Sequence, residues 1–137
     1  MVSEKHDDSA LTGECAIRLL KAVSETDCGL DNLIAIGREM LGNPIAVTDK
    51  SRKAIAMTTD IGIPDDLHWN ELLTNGCLSA QSVTMAIRDN LTDRLELSDD
   101  PFVWQGRDMK YPRMMCKVAV NRKLTATVSV IGYFKVF

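Results

Sequence analysis

Apolar positions recur at three- and four-residue intervals in the first third of the chain. Ala16, Leu19, Leu20 and Val23 define one helical face between about residues 11 and 24. Leu30, Leu33, Ile34, Ile36, Met40 and Leu41 define a second helix over about residues 29–41, with Gly42 placed to stop it and Pro44 unable to continue it. The link between the two is short, which favours antiparallel neighbours. The period then drops to two. Ile45 and Val47 alternate with Ala46 and Thr48, and Ile55 and Met57 alternate with Ala54 and Ala56. This is a β-hairpin pattern, with Lys50, Ser51, Arg52 and Lys53 suited to an exposed tip.

Helical spacing returns after Pro64-Asp65-Asp66, a good helix start. Leu67, Trp69, Leu72 and Leu73 supply its apolar positions and Gly76 its stop. Ser79 can cap a further helix in which Val83, Ala86, Ile87 and, at its end, Leu91 share a face. Residues 92–100 read as a polar connection. Residues 101–105 form a strand that begins with proline and so belongs at a sheet edge. Met114, Cys116, Val118 and Val120 then alternate with Arg113, Met115, Lys117 and Ala119. After a turn at 121–123, Leu124, Ala126, Val128 and Val130 alternate with Thr125, Thr127 and Ser129, leading into Ile131 and Tyr133. The order αα, ββ, αα, βββ predicts an α+β domain over residues 1–137. Its sheet is antiparallel and five- or six-stranded, with helices on one face, two N-terminal helices over about 11–41 and a helical crossover between strands 2 and 3.

Composition narrows the function. The chain has 137 residues, 45% apolar and 26% charged, with a net charge of −3. That is ordinary for one globular domain. It has no basic run, so a phosphate-backbone footprint is not expected. No apolar stretch is long enough for a signal peptide or a membrane span. Cys15, Cys28, Cys77 and Cys116 form no close pairs, and His6 and His68 are the only histidines. They read as reduced thiols in a cytoplasmic protein, with no metal and no cofactor called for. The apolar close, Ile131 to Phe137, suggests a module belonging to a longer protein.

Two strands, a helical excursion and three antiparallel strands is also the order of PAS domains and of the related GAF domains. In both, the first and last strands lie side by side. The stretch LLKAVSETDCGLDNLIAIGREMLGNPIAVTDKSRKAIAMTTD resembles the N-terminal sensor modules of bacterial PucR/CdaR-type transcription regulators. Leu41, Asn43, Pro44, Ile45, Val47, Asp49, Lys53 and Ala56 carry the match, and Ile55 departs from it, leucine being commoner there. The resemblance implies residues 44–48 beside residues 124–133. It also implies a homodimer through the N-terminal helices (Ala16, Leu19, Leu20, Val23, Leu33, Ile34), a small metabolite as ligand, and DNA contact only through a helix-turn-helix domain absent from this chain.

No catalytic signature is present: no G-x-S-x-G, P-loop, G-x-G-x-x-G or H-E-x-x-H. Asp65-Asp66 and Asp99-Asp100 serve as helix and turn starters. The expectation is therefore a binding module and not an enzyme. A pocket between sheet and crossover helices would be lined by Met57, His68, Trp69, Leu73, Met85, Trp104, Met114 and Cys116. In the competing reading these methionines and tryptophans simply fill a soft core, and the chain is a structural dimerisation module without ligand. His68 would then face water. Arg113 and Lys117 share a strand face that could meet an anionic ligand, but the preferred expectation is that both are solvated.

Overall fold

The computed structural model describes residues 29–137. The expected helix over 11–24, with Ala16, Leu19, Leu20 and Val23, lies outside the described residues. The elements are α1 (Leu30–Leu41), β1 (Ile45–Asp49), β2 (Ala54–Met57), α2 (Leu67–Asn75), α3 (Ala80–Arg88), α4 (Leu91–Leu97), β3 (Phe102–Trp104), β4 (Arg113–Val120) and β5 (Lys123–Ile131). The five strands form one sheet in the order β2-β1-β5-β4-β3, antiparallel throughout. The first strand thus pairs with the last, Ile45 opposite Val130 and Thr48 opposite Thr127, as expected.

Local chemistry explains most boundaries. Gly42 takes the left-handed conformation (φ 69°) and its N–H donates to the Arg38 carbonyl, closing α1. A Cβ at Gly42 would also lie 2.7 Å from Lys135 Cε, which the flexible lysine can clear by moving, so the left-handed backbone is what favours glycine here. Asp66 caps α2 by accepting from Trp69 N–H at 3.0 Å, and Ser79 caps α3 by accepting from Ser82 N–H at 3.1 Å. Asn121 and Arg122, both at positive φ, make the two-residue turn between β4 and β5.

One expected element is different. Residues 92–100 hold helix α4, not a simple connection. Asn90 at φ 64° breaks the chain direction, and Leu91 and Leu95, one helical turn apart, are buried while Leu97 at the end of the helix is exposed. Two apolar residues are too few to announce a helix by periodicity.

Helices cover both faces of the sheet, not one as expected. On one side α1 lies over β1 and β2, and Ile34 joins Ile45, Val47, Ala56, Ala126 and Val130 in a core cluster. On the other side the crossover helices bury two further clusters. One contains Ala46, Ile63, Trp69, Leu72 and Ile131, and the other Ala86, Leu91, Leu95, Trp104 and Met115. Because its two faces are both covered, β1 is buried almost throughout. No described helix is long and apolar enough to cross a membrane.

Candidate functional site

The seam between the two crossover-side clusters is not filled. A cavity of about 50 Å³ lies there, walled by β1, β4 and β5 on the sheet side and by α2, α3 and the start of α4 on the other. Its apolar wall includes Ala46, Trp69, Leu72, Leu78, Ala86, Leu91, Trp104, Met115 and Ile131. Its polar wall is Thr48, Arg52, His68, Arg113 and Ser129. A water-sized group needs about 10–15 Å³ on this measure, so the cavity has room for about three or four.

The tryptophans are fixed by their ring N–H groups. Trp69 donates to the Ile61 carbonyl at 2.9 Å and Trp104 to the Asp89 carbonyl at 3.2 Å. With those donors satisfied by backbone, both residues offer the cavity ring surface.

Arg113 opens β4 and is buried. Its guanidinium pairs with Asp66 and donates to the Tyr111 carbonyl at 2.8 Å. Asp66 Oδ1 accepts both this bond and the helix cap from Trp69, while Oδ2 is buried with no partner among the described residues. Arg113 is therefore not a solvated surface residue. It is neutralised inside the fold, where only a carboxylate from another element could make its burial tolerable.

His68 is also buried, not water-facing. Its Nε2 has no hydrogen-bond partner among the described residues. Burial first, and the Arg113 charge second, hold its pKa below the usual histidine value, against opposing pulls from Asp66, Glu71 and Asp89. The ring is accordingly neutral at pH 7.

Arg52 comes from the hairpin tip. Asp49 Oδ1 accepts from Ser51 N–H at 2.8 Å and Lys53 N–H at 3.0 Å, which curls the tip tightly. Two backbone bonds then tie the curl to the α2–α3 link: Ala54 N–H to the Gly76 carbonyl at 2.8 Å and Leu78 N–H to the Arg52 carbonyl at 3.1 Å. Arg52 itself sits at φ 62°, a conformation that costs an ordinary side chain energy. Arg52 is half-buried and is one of the residues that line the cavity. It makes no ion pair and no side-chain hydrogen bond among the described residues. Burial alone lowers its pKa.

Arg52 also borders a wider outer groove of about 560 Å³, with Asp49, Lys50, Ser51 and Lys123 on one side and Val83, Ile87, Thr92 and Glu96 on the other. It stands between the cavity and the groove.

The expected pocket residues divide. His68, Trp69 and Trp104 line the cavity. Met114 and Cys116 do not, because the alternation of β4 runs in the opposite phase: Arg113 and Met115 face the crossover helices, and Met114 packs into the α1-side cluster. Met57 packs beside the Trp69 cluster and lines a separate groove with α1. Met85 borders a neighbouring cavity that also includes His68 and Asp66. Leu73 is half-buried one step off the Trp69–Leu72 face and is not part of the cavity wall. Of the expected dimer positions described, Ile34 packs on its own sheet and Leu33 is half-buried. Among the described residues no cluster of His, Cys, Asp or Glu is gathered as a metal ion would require. No protein-family model matches the chain, and no curated protein matches it.

Proposed function

We propose that this chain is a non-enzymatic sensory and dimerisation domain of a bacterial transcription regulator, PAS/GAF-like in fold and of the PucR/CdaR type. It binds a small metabolite between its sheet and its crossover helices. DNA contact belongs to a helix-turn-helix domain outside this chain, and the cell compartment is the cytoplasm. The observation that carries the reading is the cavity itself. It is an unfilled space in the core, bordered by Arg52, which makes no ion pair among the described residues, and by His68, whose Nε2 has no hydrogen-bond partner among them, and a merely structural domain gains nothing from such groups. The strand order, with β1 and β5 central, supports the fold assignment. A ligand acts by binding one arrangement of sheet and helices more tightly than another.

A thermal-shift screen against a broad panel of metabolites tests this. A ligand present at about 100 times its Kd adds about 2.7 kcal/mol of stability. The competing reading, a structural dimerisation module with no ligand, draws on the small size of the cavity, about 50 Å³, and expects no shift with any compound. Dimerisation is tested separately by sedimentation. A monomer at high micromolar concentration overturns that part of the proposal.

A further inference from the structure

Two arginines line the cavity, and among the described residues only Arg113 has an ion-pair partner. Arg113 is neutralised by Asp66. Arg52 is partly desolvated and makes no ion pair among the described residues, the Asp49 and Glu96 carboxylates lying on the outer-groove side. Among the described residues no acidic side chain lines the cavity. The wall therefore carries one uncompensated positive charge. A desolvated cation without a partner is unfavourable, and an incoming anion relieves it.

We infer that the ligand of this cavity is a short-chain aliphatic carboxylate, its anionic head paired with the Arg52 guanidinium and its hydrocarbon part against Trp69, Leu72, Trp104 and Met115. The inference rests on the reading that the cavity binds a metabolite, and it names the chemical class. Three features favour a carboxylate over other anions. The single unpaired charge matches a monoanion. The planar fork of arginine fits a carboxylate with two parallel bonds. The rest of the wall is mostly apolar, so it would leave the further oxygens of a phosphate without partners. Volume sets the length. Room for about three or four water-sized groups accepts acids about the size of acetate or propionate. Arg52 is shared with the outer groove, so the head group lies on the side from which a ligand enters.

The position of Arg52 supports a ligand role over a structural one. The tip curl is built by Asp49, by backbone bonds and by the tie to the α2–α3 link, none of which uses the Arg52 side chain. At φ 62° a glycine or asparagine would be easier to place. Because the turn does not use the Arg52 side chain, that side chain is free to serve a ligand.

The test is titration of the wild-type chain with sodium acetate, propionate and butyrate, with the matching amides, and with inorganic phosphate. Ionic strength is held constant with sodium chloride. Melting temperature and tryptophan fluorescence are read together. Saturable binding of one of the acids, with none by its amide, is expected. Arg52→Gln is expected to stay folded and bind that acid about 10- to 100-fold more weakly, the usual loss when a hydrogen-bonded charge partner is removed. Arg52→Lys keeps the charge and loses the fork, and is expected to fall between. An amide that binds as well as its acid, or unchanged binding in a folded Arg52→Gln, overturns the anion assignment and leaves the sensor reading standing. Binding of phosphate alone overturns the carboxylate. A neutral metabolite from the broader panel that saturates the cavity while the acids do not overturns the assignment as well. Silence from every compound, the acids and the broad panel together, overturns both this inference and the sensor reading.

Discussion

Arg113 and Asp66, 47 positions apart in the chain, form a buried ion pair that joins the first residue of β4 to the N-cap of α2. The pair fixes the sheet to the crossover helices at the rim of the cavity. It also sets the local electrostatics, because the Arg113 charge helps keep His68 neutral.

Removing one partner leaves the other charge buried. Arg113→Ala and Asp66→Ala are each expected to lower unfolding free energy by about 3–5 kcal/mol. Asp66→Ala also loses the α2 cap, worth about 1 kcal/mol. The double variant Asp66→Asn, Arg113→Met is expected to be clearly more stable than the sum of its single changes, since it buries no lone charge. Urea unfolding of all variants measures this. Additive losses would mean that the two groups do not act as a pair.

His68 predicts a pH dependence. Its folded pKa lies below the unfolded value near 6.5. Between the two, the unfolded chain binds the proton and the folded chain does not. Stability from neutral His68 is therefore full above about pH 6.5 and falls as pH drops toward the folded pKa. Wild type is expected to lose more stability than His68→Gln between pH 7 and pH 5. Parallel curves for the two proteins would show that the imidazole titrates normally.

The strands and their order were legible because alternation and turn residues mark them locally. The pairing of β1 with β5 was expected only from the resemblance to PAS and GAF domains. Which face of β4 looks inward was not legible. Both faces of the sheet are covered by helices, so Met114 and Cys116 on one side and Met115 on the other are equally good core residues. Deciding between them needs the knowledge that Arg113 finds Asp66, and no local pattern carries that. Arg52 was hidden for a similar reason. In a run of Lys50, Ser51, Arg52 and Lys53 it looks like one more solvated charge, and only the tie from the tip to Gly76 and Leu78 turns it toward the cavity. Trp69 and Trp104 were legible because large rings on apolar faces are buried in nearly any packing of these elements.

Asn43 gives physical content to one residue of the Leu-Gly-Asn-Pro stretch. It is 2% exposed, and its amide makes three bonds to the segment after β5. Oδ1 accepts from Phe134 N–H and Lys135 N–H, both at 2.9 Å, and Nδ2 donates to the Lys135 carbonyl at 2.9 Å. Asn43→Ala leaves these backbone groups without partners and is expected to cost about 1–3 kcal/mol. The amides of Phe134 and Lys135 are expected to exchange with solvent faster in the variant, by more than the global loss of stability explains. Hydrogen exchange at these two positions is the readout. Unchanged protection there would show that the segment is held by other contacts.

Arg52→Gly separates stability from binding. In the ligand-free chain, arginine at φ 62° carries a conformational cost of about 1–2 kcal/mol that glycine avoids. Glycine gives back about 0.4–1 kcal/mol through the greater freedom of the unfolded chain. It also removes a half-buried charge that has no partner among the described residues. The net expectation is a ligand-free protein more stable by about 1 kcal/mol, seen as a higher urea midpoint in the fluorescence of the two buried tryptophans, Trp69 and Trp104. A structural role for the guanidinium predicts the opposite sign, because its loss would then remove favourable contacts from the tip. A lower midpoint for Arg52→Gly would place the side chain among the groups that hold the fold, and a higher one would leave ligand recognition as the reason it stands there.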